Sequence, residues 1–184
     1  LSGDWRKSKL FIRYPNGLRI WANGNAEESW RIEHQGTVHD LPPFGWLAIG
    51  TDDFYECSES IDGKRYDRAS SPECIFIDSR GAWRGFDGIA TSGSVAVRRA
   101  KEHRGLSVIT VEETDRLTIR EPEGTFGPED VRTAVAAIAQ AEAIAVQAFD
   151  RDERNSGATA VKRISDGWEI QPPPSTVRLD IAAK

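Results

Sequence analysis

The chain has 184 residues, of which 39% are hydrophobic and 29% are charged, a balance typical of a folded protein rather than a disordered one. The net charge is −5 and the lysines and arginines are spread along the chain, which argues against a nucleic-acid partner, because such a face needs clustered basic residues. No apolar run approaches membrane-spanning length, so we expect no membrane partner either.

The start of the chain and its cysteines bear on its origin. It contains no methionine and opens with LSGDWRKSK, which lacks the apolar segment of a signal peptide. We therefore expect an excised or processed piece of a longer polypeptide. Cys57 and Cys74 are too few for a disulfide scaffold and are not spaced as zinc ligands. They are expected either to pair, if their strands are neighbours, or to be buried thiols.

The first half of the chain alternates apolar and polar residues, as β-strands do. The stretch IRYPNGLRIW alternates on both sides of Pro15-Asn16-Gly17, whose Asn and Gly tolerate the positive φ of a tight hairpin. A second turn leads to SWRIEHQ, and LPP precedes the short strand GWLAIG because proline cannot donate to a ladder. Asp62-Gly63 predicts another hairpin, and the strand ECIFID follows it.

The second half continues with the strand patterns SVAVRRA, LSVITVE and RLTIRE, followed after a helix by AIAVQAFD, ATAVKRIS, GWEIQ and TVRLDIA. The helix is predicted near residues 128–140, because Gly127-Pro128-Glu129-Asp130 places proline and two acids at a helix start. Val131, Val135 and Ile138 then form an apolar stripe.

These patterns predict an all-β, mainly antiparallel protein, a β-sandwich with one short α-helix. The charged stretch RRAKEHRG, residues 98–105, is the best candidate for a domain boundary. We expect a sandwich module over residues 1–105 and a smaller β module with the helix over 106–184. One continuous domain is the alternative.

No catalytic or metal-binding motif is recognised. There is no G-x-S-x-G elbow, and His34, His39 and His103 are not spaced as a helical metal pair, so we interpret them as surface or hydrogen-bonded residues. The stretch from Asp150 resembles a calcium loop, but Arg154 stands where that loop needs an oxygen ligand. The sequence therefore predicts no catalytic residue, no metal and no cofactor.

Carboxylates are abundant, but sequence does not show their separation. Cleavage of a glycosidic bond needs two of them across a cleft at a defined distance. We interpret the acids of the first half as solvated groups in turns or on polar strand faces; they are Asp52, Asp53, Glu56, Glu59, Asp62, Asp67, Glu73 and Asp78.

The tryptophans are the most suggestive residues for binding, because an exposed indole can stack on the apolar face of a sugar ring. Trp21 and Trp83 lie among polar residues and are the predicted platforms, with Asn23, Arg84 and Asp87 as hydrogen-bonding groups beside them. The alternative for both indoles is packing in a core or between domains. The six tryptophans are Trp5, Trp21, Trp30, Trp46, Trp83 and Trp168.

Four segments together resemble the β-rich region C-terminal to the catalytic barrel in large multidomain glycoside hydrolases: IRYPNGLRIWAN, LPPFGWLAIG, SPECIFIDSRGAWRGFDGIATSGSVAVRR and DGWEIQP. The resemblance spans residues 9–99 and, more weakly, 143–181. It implies a catalytic barrel of the same polypeptide as partner, polysaccharide as a further partner, and a secreted or periplasmic location. It transfers no catalytic residue, because in such enzymes the acids lie on a barrel that 184 residues are too few to form.

Three functions are compatible with these observations. The first is a non-catalytic accessory region that packs on a barrel, which predicts a large apolar flank. The second is an autonomous carbohydrate-binding module, which predicts a coplanar pair of exposed tryptophans. The third is a stand-alone β-sandwich enzyme, which predicts two carboxylates converging in a pocket.

Overall fold

The computed structural model describes residues 9–52, 54–100, 105–110, 114–123 and 128–184. Over these ranges the chain forms seventeen β-strands and one α-helix. All strand pairings found among them are antiparallel, which confirms the predicted all-β class. Trp5, Asp53, His103 and Gly127, named above, lie outside the described residues.

The strands of the first half are β1 (Lys9–Arg13), β2 (Arg19–Asn23), β3 (Trp30–His34), β4 (Thr37–Leu41), β5 (Trp46–Ile49), β6 (Tyr55–Ile61), β7 (Lys64–Ser71) and β8 (Cys74–Asp78). The remaining elements are β9 (Arg84–Phe86), β10 (Ile89–Thr91), β11 (Ser94–Arg99), β12 (Gly105–Thr110), β13 (Leu117–Arg120), α1 (Glu129–Gln140), β14 (Ile144–Phe149), β15 (Ala160–Ile164), β16 (Gly167–Gln171) and β17 (Arg178–Ala183).

The strands form one long sheet and two smaller ones. The long sheet has ten strands in the order β1-β2-β5-β6-β7-β8-β11-β12-β17-β14. A five-stranded sheet, β15-β16-β13-β10-β9, and the two-stranded hairpin β3-β4 make up the rest. β4 packs on β6, and α1 packs on strands of both the ten-stranded and the five-stranded sheet. The result is the predicted sandwich.

Turn chemistry explains the predicted hairpins. β1 and β2 pair on either side of Pro15-Asn16-Gly17. β6 and β7 pair around Asp62 and Gly63, which have φ values of 52° and 72°. Two consecutive positive φ angles give a turn whose twist matches that of the strands it joins. The turn therefore fixes the β6–β7 register on which the candidate site depends.

The helix begins at Glu129, directly after Pro128, as the sequence predicts. Val131, Val135 and Ile138 are buried in the core. Within the described part of the chain, no helix is long and apolar enough to cross a membrane.

The apolar core consists of two clusters. The smaller one includes Ile32 of the β3-β4 hairpin and Leu47 of the long sheet, and the larger one lies under α1 and the five-stranded sheet. Phe86 packs against both clusters. The ten-stranded sheet continues across the predicted module boundary, because β11 pairs with β12. The division into modules 1–105 and 106–184 stays a prediction.

The two cysteines are free thiols. Cys57 lies on β6 and Cys74 on β8, and β7 runs between these two strands. Because β6 and β8 are not neighbours in the sheet, the condition for a disulfide between Cys57 and Cys74 is not met.

Gly88, in the β9–β10 turn of the five-stranded sheet, and Gly63, in the β6–β7 turn, allow a matched test of how tightly the five-stranded sheet packs. Both have positive φ, but a Cβ on Gly88 would lie 2.5 Å from the carbonyl oxygen of Arg120 and 2.8 Å from Cγ1 of Val135, whereas a Cβ on Gly63 meets nothing within 4 Å. We expect Gly63→Ala to lower the free energy of unfolding by about 1–2 kcal/mol, from backbone strain alone. Gly88→Ala adds overpacking and should lower it by roughly 2 kcal/mol more. Urea titration measures the free energy of unfolding of both variants. Equal losses of stability in the two would contradict the tight packing of the Gly88 turn against Arg120 and Val135.

Candidate functional site

The described residues line two clefts that bear on function. The histidine cleft has a volume of about 780 Å³, and its lining includes Arg31, His34, His39, Asp40, Tyr55, Glu59, Ile61, Asp62, Tyr66 and Arg68. The tryptophan cleft has a volume of about 490 Å³, and its lining includes Arg68, Trp83, Phe86, Asp87, Thr118, Arg120, Glu121, Glu123 and Asp166. Arg68 lines both clefts.

Strand alternation places the polar groups of the histidine cleft on one face. Tyr55 and Glu59 are four residues apart on β6, so their side chains point the same way. Tyr66 lies directly opposite Glu59 on β7 and shares that face. His39 comes from β4, which packs over β6. Three strands thus bring four polar side chains together.

Glu59 is the centre of this group. His39 donates from Nδ1 to Oε1 of Glu59 at 2.9 Å, and the Tyr55 hydroxyl donates to the same oxygen at 2.9 Å. The Tyr66 hydroxyl donates to Oε2 at 3.0 Å. All four residues are buried. A buried carboxylate is costly unless it is hydrogen-bonded, and three donors satisfy this one.

The hydrogen bonds decide the charge state of Glu59. Burial by itself would raise the pKa of Glu59, but the hydrogen bonds from His39, Tyr55 and Tyr66 outweigh it and hold that pKa below its ordinary value. Burial and the Glu59 charge both raise the pKa values of Tyr55 and Tyr66. The carboxylate is therefore ionised near neutral pH, and both tyrosines remain protonated donors.

The ionised carboxylate fixes the ring of His39. Because Glu59 accepts from Nδ1, the proton of neutral His39 belongs on that nitrogen. Nε2 has no hydrogen-bond partner among the described residues and is not fully buried. Nε2 therefore faces the cleft that His39 lines.

The same cleft contains a second histidine, His34, and the thiol of Cys57 is buried on β6 between Tyr55 and Glu59. His34 Nε2 lies 3.4 Å from a guanidinium nitrogen of Arg19, and burial and Arg19 lower the pKa of His34. His34 is therefore neutral at physiological pH. Burial raises the pKa of Cys57 to about 12, so this thiol is not a nucleophile.

The tryptophan cleft combines an exposed indole with an incompletely satisfied carboxylate. Trp83 is 41% exposed, and the guanidinium of Arg116 lies 4.0 Å from its ring centre. Asp87 lies at the β9–β10 turn, and burial raises the pKa of Asp87 despite the opposing charges of Arg68 and Arg132. Within the described residues, Oδ2 of Asp87 and Oγ1 of Thr118 are buried without a hydrogen-bond partner.

The structure brings together only part of the sequence-predicted site. Trp83 and Asp87 line the same cleft. Arg84 lies beside them, but its guanidinium donates to the carbonyl oxygens of Ile61 and Lys64 at 3.1 and 2.9 Å. Its described hydrogen bonds thus support the β6–β7 turn.

Trp21 and Asn23 lie on β2, outside the linings of both clefts. Trp21 is half-buried, with its ring centre 4.9 Å from that of Phe11. Asn23 is buried, and its amide nitrogen donates to three backbone carbonyl oxygens while its oxygen accepts from the backbone of Asn25. The polar atoms of Asn23 are therefore used in holding the chain around it.

Sequence reasoning missed the group around Glu59. The interpretation of the first-half acids as solvated groups is wrong for Glu59, which is buried. The alternation Tyr55-x-Cys57-x-Glu59 was a usable signal, because it places two polar groups on the apolar face of a strand. No residue near His39 in the sequence indicated that it would contact Glu59, since this contact depends on the packing of β4 against β6.

The chemistry available to the group is that of a histidine oriented by a carboxylate, as in many hydrolytic sites. The hydroxyls nearest in sequence to Glu59 have other partners: Ser60 Oγ donates to Asp40 at 2.8 Å, and Ser58 Oγ donates to Asp67. In the described ranges, no group of three or more His, Cys, Asp or Glu residues is placed to hold a metal ion. The arrangement suits hydrogen-bond recognition better than nucleophilic attack.

Comparison of the chain with protein-family models, with curated proteins and with solved structures found no match.

Glu59→Gln tests the energetics of the buried group. Gln leaves the buried donors of His39, Tyr55 and Tyr66 without a charged acceptor. Hydrogen bonds to a charged group contribute about 1.5–3 kcal/mol, so we expect the free energy of unfolding to fall by roughly 2–3 kcal/mol at pH 7. The folded-state pKa of Glu59 is lowered, so its contribution is present above the unfolded-state pKa and is lost as pH falls through the folded value. The variant should therefore lose less stability than the parent between about pH 5 and pH 3.

Urea titrations at several pH values measure this difference. Glu56→Gln is the matched control, because Glu56 is exposed on the same strand. Parallel pH profiles for Glu59→Gln and the parent protein would contradict the assigned role of the carboxylate.

Proposed function

We propose that this chain is a non-catalytic accessory β-sandwich region of a glycoside hydrolase, which packs on a catalytic domain of the same polypeptide. Two things support the proposal: the resemblance of its hairpin and strand segments to such regions, and an exposed apolar flank at one end of the long sheet. The flank is the observation that carries it.

The flank belongs to β1, the end strand of the ten-stranded sheet. Leu10 and Phe11 on β1 are 50% and 51% exposed, and Tyr14, directly after β1, is 43% exposed. Leu10 and Phe11 are adjacent, so they lie on opposite faces, and both faces of β1 expose apolar groups. In the described residues only β2 pairs with β1, which leaves one row of backbone groups open.

An open strand edge with apolar side chains on both faces is a surface that proteins ordinarily cover. Lys9 and Arg13 at the two ends of β1 are its only charged residues, and the apolar stretch lies between them. A catalytic domain that packs over this edge would bury the apolar groups and use the charges at its rim. Support of a neighbouring domain is thus the role that fits the flank.

Amide hydrogen exchange tests this proposal. We expect β1 amides to exchange at least tenfold more slowly in the complete natural polypeptide than in this chain alone, because a covered strand opens less often. Phe11→Ser should abolish most of the added protection. Phe44→Ser is the matched control, since Phe44 is also an exposed phenylalanine but lies outside the flank. Equal exchange of β1 in the two proteins would refute the packing role.

A second candidate, carbohydrate binding, is favoured by one specific observation: the tryptophan cleft places an exposed indole in a lining that also includes Arg120 and Asp166, whose side chains are about half exposed. An indole offers a flat apolar surface to a sugar ring, and the exposed polar groups offer hydrogen bonds that orient it. A coplanar tryptophan pair is not part of this arrangement, because Trp21 lies outside the cleft.

Glycan-array screening followed by calorimetric titration tests the second candidate. Truncation of a good aromatic anchor costs on the order of 2 kcal/mol, so we expect Trp83→Ala to weaken binding of a retained glycan about thirtyfold. Val161→Ala, at an exposed apolar position on β15, is the control. Affinity that is unchanged in Trp83→Ala, or lost only in Trp21→Ala, would remove the tryptophan cleft as the site.

A further inference from the structure

We propose that the histidine cleft binds a neutral saccharide unit, with Nε2 of His39 accepting a hydrogen bond from one of its hydroxyl groups. This inference rests on neither the flank of β1 nor the tryptophan cleft. It rests on the geometry around Glu59 and on the groups that line the histidine cleft.

The first support is the orientation of His39. Its Nδ1 is held by Glu59 at 2.9 Å, so the ring can neither rotate nor change tautomer without breaking a buried hydrogen bond. Nε2 is then left as an acceptor that faces the cleft. A ligand hydroxyl therefore meets an acceptor that is already aligned, which reduces the entropy lost on binding.

The second support is the set of hydrogen bonds behind His39 that holds Glu59, and so His39, in this orientation. Glu59 is itself fixed by the hydroxyls of Tyr55 and Tyr66, at 2.9 and 3.0 Å. An apolar core at this position would avoid the cost of burying an ionised carboxylate. A carboxylate retained at that cost, behind a histidine that opens on a cleft, is the arrangement typical of an organised site.

The third support is the balance of charge, which selects a neutral ligand. Arg31 and Arg68 are the arginines that line the cleft, and Asp40, Glu59 and Asp62 are its acids. Glu59 is satisfied by its three donors, and Asp40 accepts from Ser60. Neither sign is in clear excess, so a ligand that both donates and accepts without net charge fits better than an anion or a cation.

The fourth support is the combination of size and apolar rim. A volume of about 780 Å³ lies within the range of small-molecule sites. Val38 and Ile61 line the cleft and are exposed, so they present apolar surface beside the polar groups. A sugar ring offers the complementary pair of surfaces, since its C–H groups and its hydroxyls point in different directions.

Nitrogen-detected NMR of the wild-type histidines is the direct experiment. The probes are neutral mono- and disaccharides built from glucose, galactose, mannose, xylose and N-acetylglucosamine. We expect the free protein to show the Nδ1–H tautomer of His39, and at least one probe to shift its Nε2 resonance while Nδ1 stays protonated. Absence of any shift across the set, or binding that leaves His39 Nε2 unperturbed, overturns the proposal.

His39→Asn gives the matched mutational test. The asparagine amide can still donate to Glu59 from a position near Nδ1, but nothing replaces Nε2. We expect at least a tenfold loss of affinity for the retained probe, with a midpoint of thermal unfolding close to that of Glu56→Gln, the exposed control on β6. Unchanged affinity in a folded His39→Asn protein overturns the proposal. If this variant does not fold, the wild-type resonance of Nε2 still decides.

Discussion

Pairing between β6 and β7 is the constraint on which the rest of the structure depends. The register sets Tyr55 opposite Ser70, Cys57 opposite Arg68, and Glu59 opposite Tyr66. All six side chains therefore point to the same side of the long sheet, toward the covering layer that the β3-β4 hairpin and the five-stranded sheet form. A shift of one residue would place Tyr66 on the opposite face of the sheet from Tyr55 and Glu59, and the hydrogen-bonded group would not form. The Asp62-Gly63 turn, with its two positive φ angles, selects against this shift.

Arg68 links the two halves of the covering layer. Its guanidinium lies 4.8 Å from the ring centre of Tyr55 and 5.1 Å from that of Phe86. Phe86 in turn stacks on Tyr66 with 4.9 Å between ring centres. The guanidinium of Arg68 therefore lies between the rings of Tyr55 and Phe86, at the boundary between the β3-β4 hairpin and the five-stranded sheet. Arg68 lines both clefts, so a single side chain forms part of the wall of each.

The sequence predicted those parts of the fold that are determined locally. The hairpin at Asp62-Gly63 and the helix after Pro128 follow from turn and capping chemistry. β4, β9 and β10 were missed, since two of them have three residues each and their pairing depends on distant segments. The site was predicted less well for the same reason. Trp83 and Asp87 flank the short strand β9 and line the same cleft, so their proximity follows from the sequence, whereas His39 and Glu59 meet only because β4 packs on β6.

The position of β17 in the long sheet has a consequence for the order of assembly. β17 lies between β12 and β14, and β14 pairs with no other strand of the described sheet. The neighbouring strands β5 to β8 are joined by short connections and can zip up one after another as the chain leaves the ribosome. β12 can pair with β11 at once, but its other edge and the whole of β14 must wait for residues 178–183. Until β17 is synthesised, the unpaired edges of its two neighbours can pair with other chains, and in that interval the nascent chain is open to aggregation.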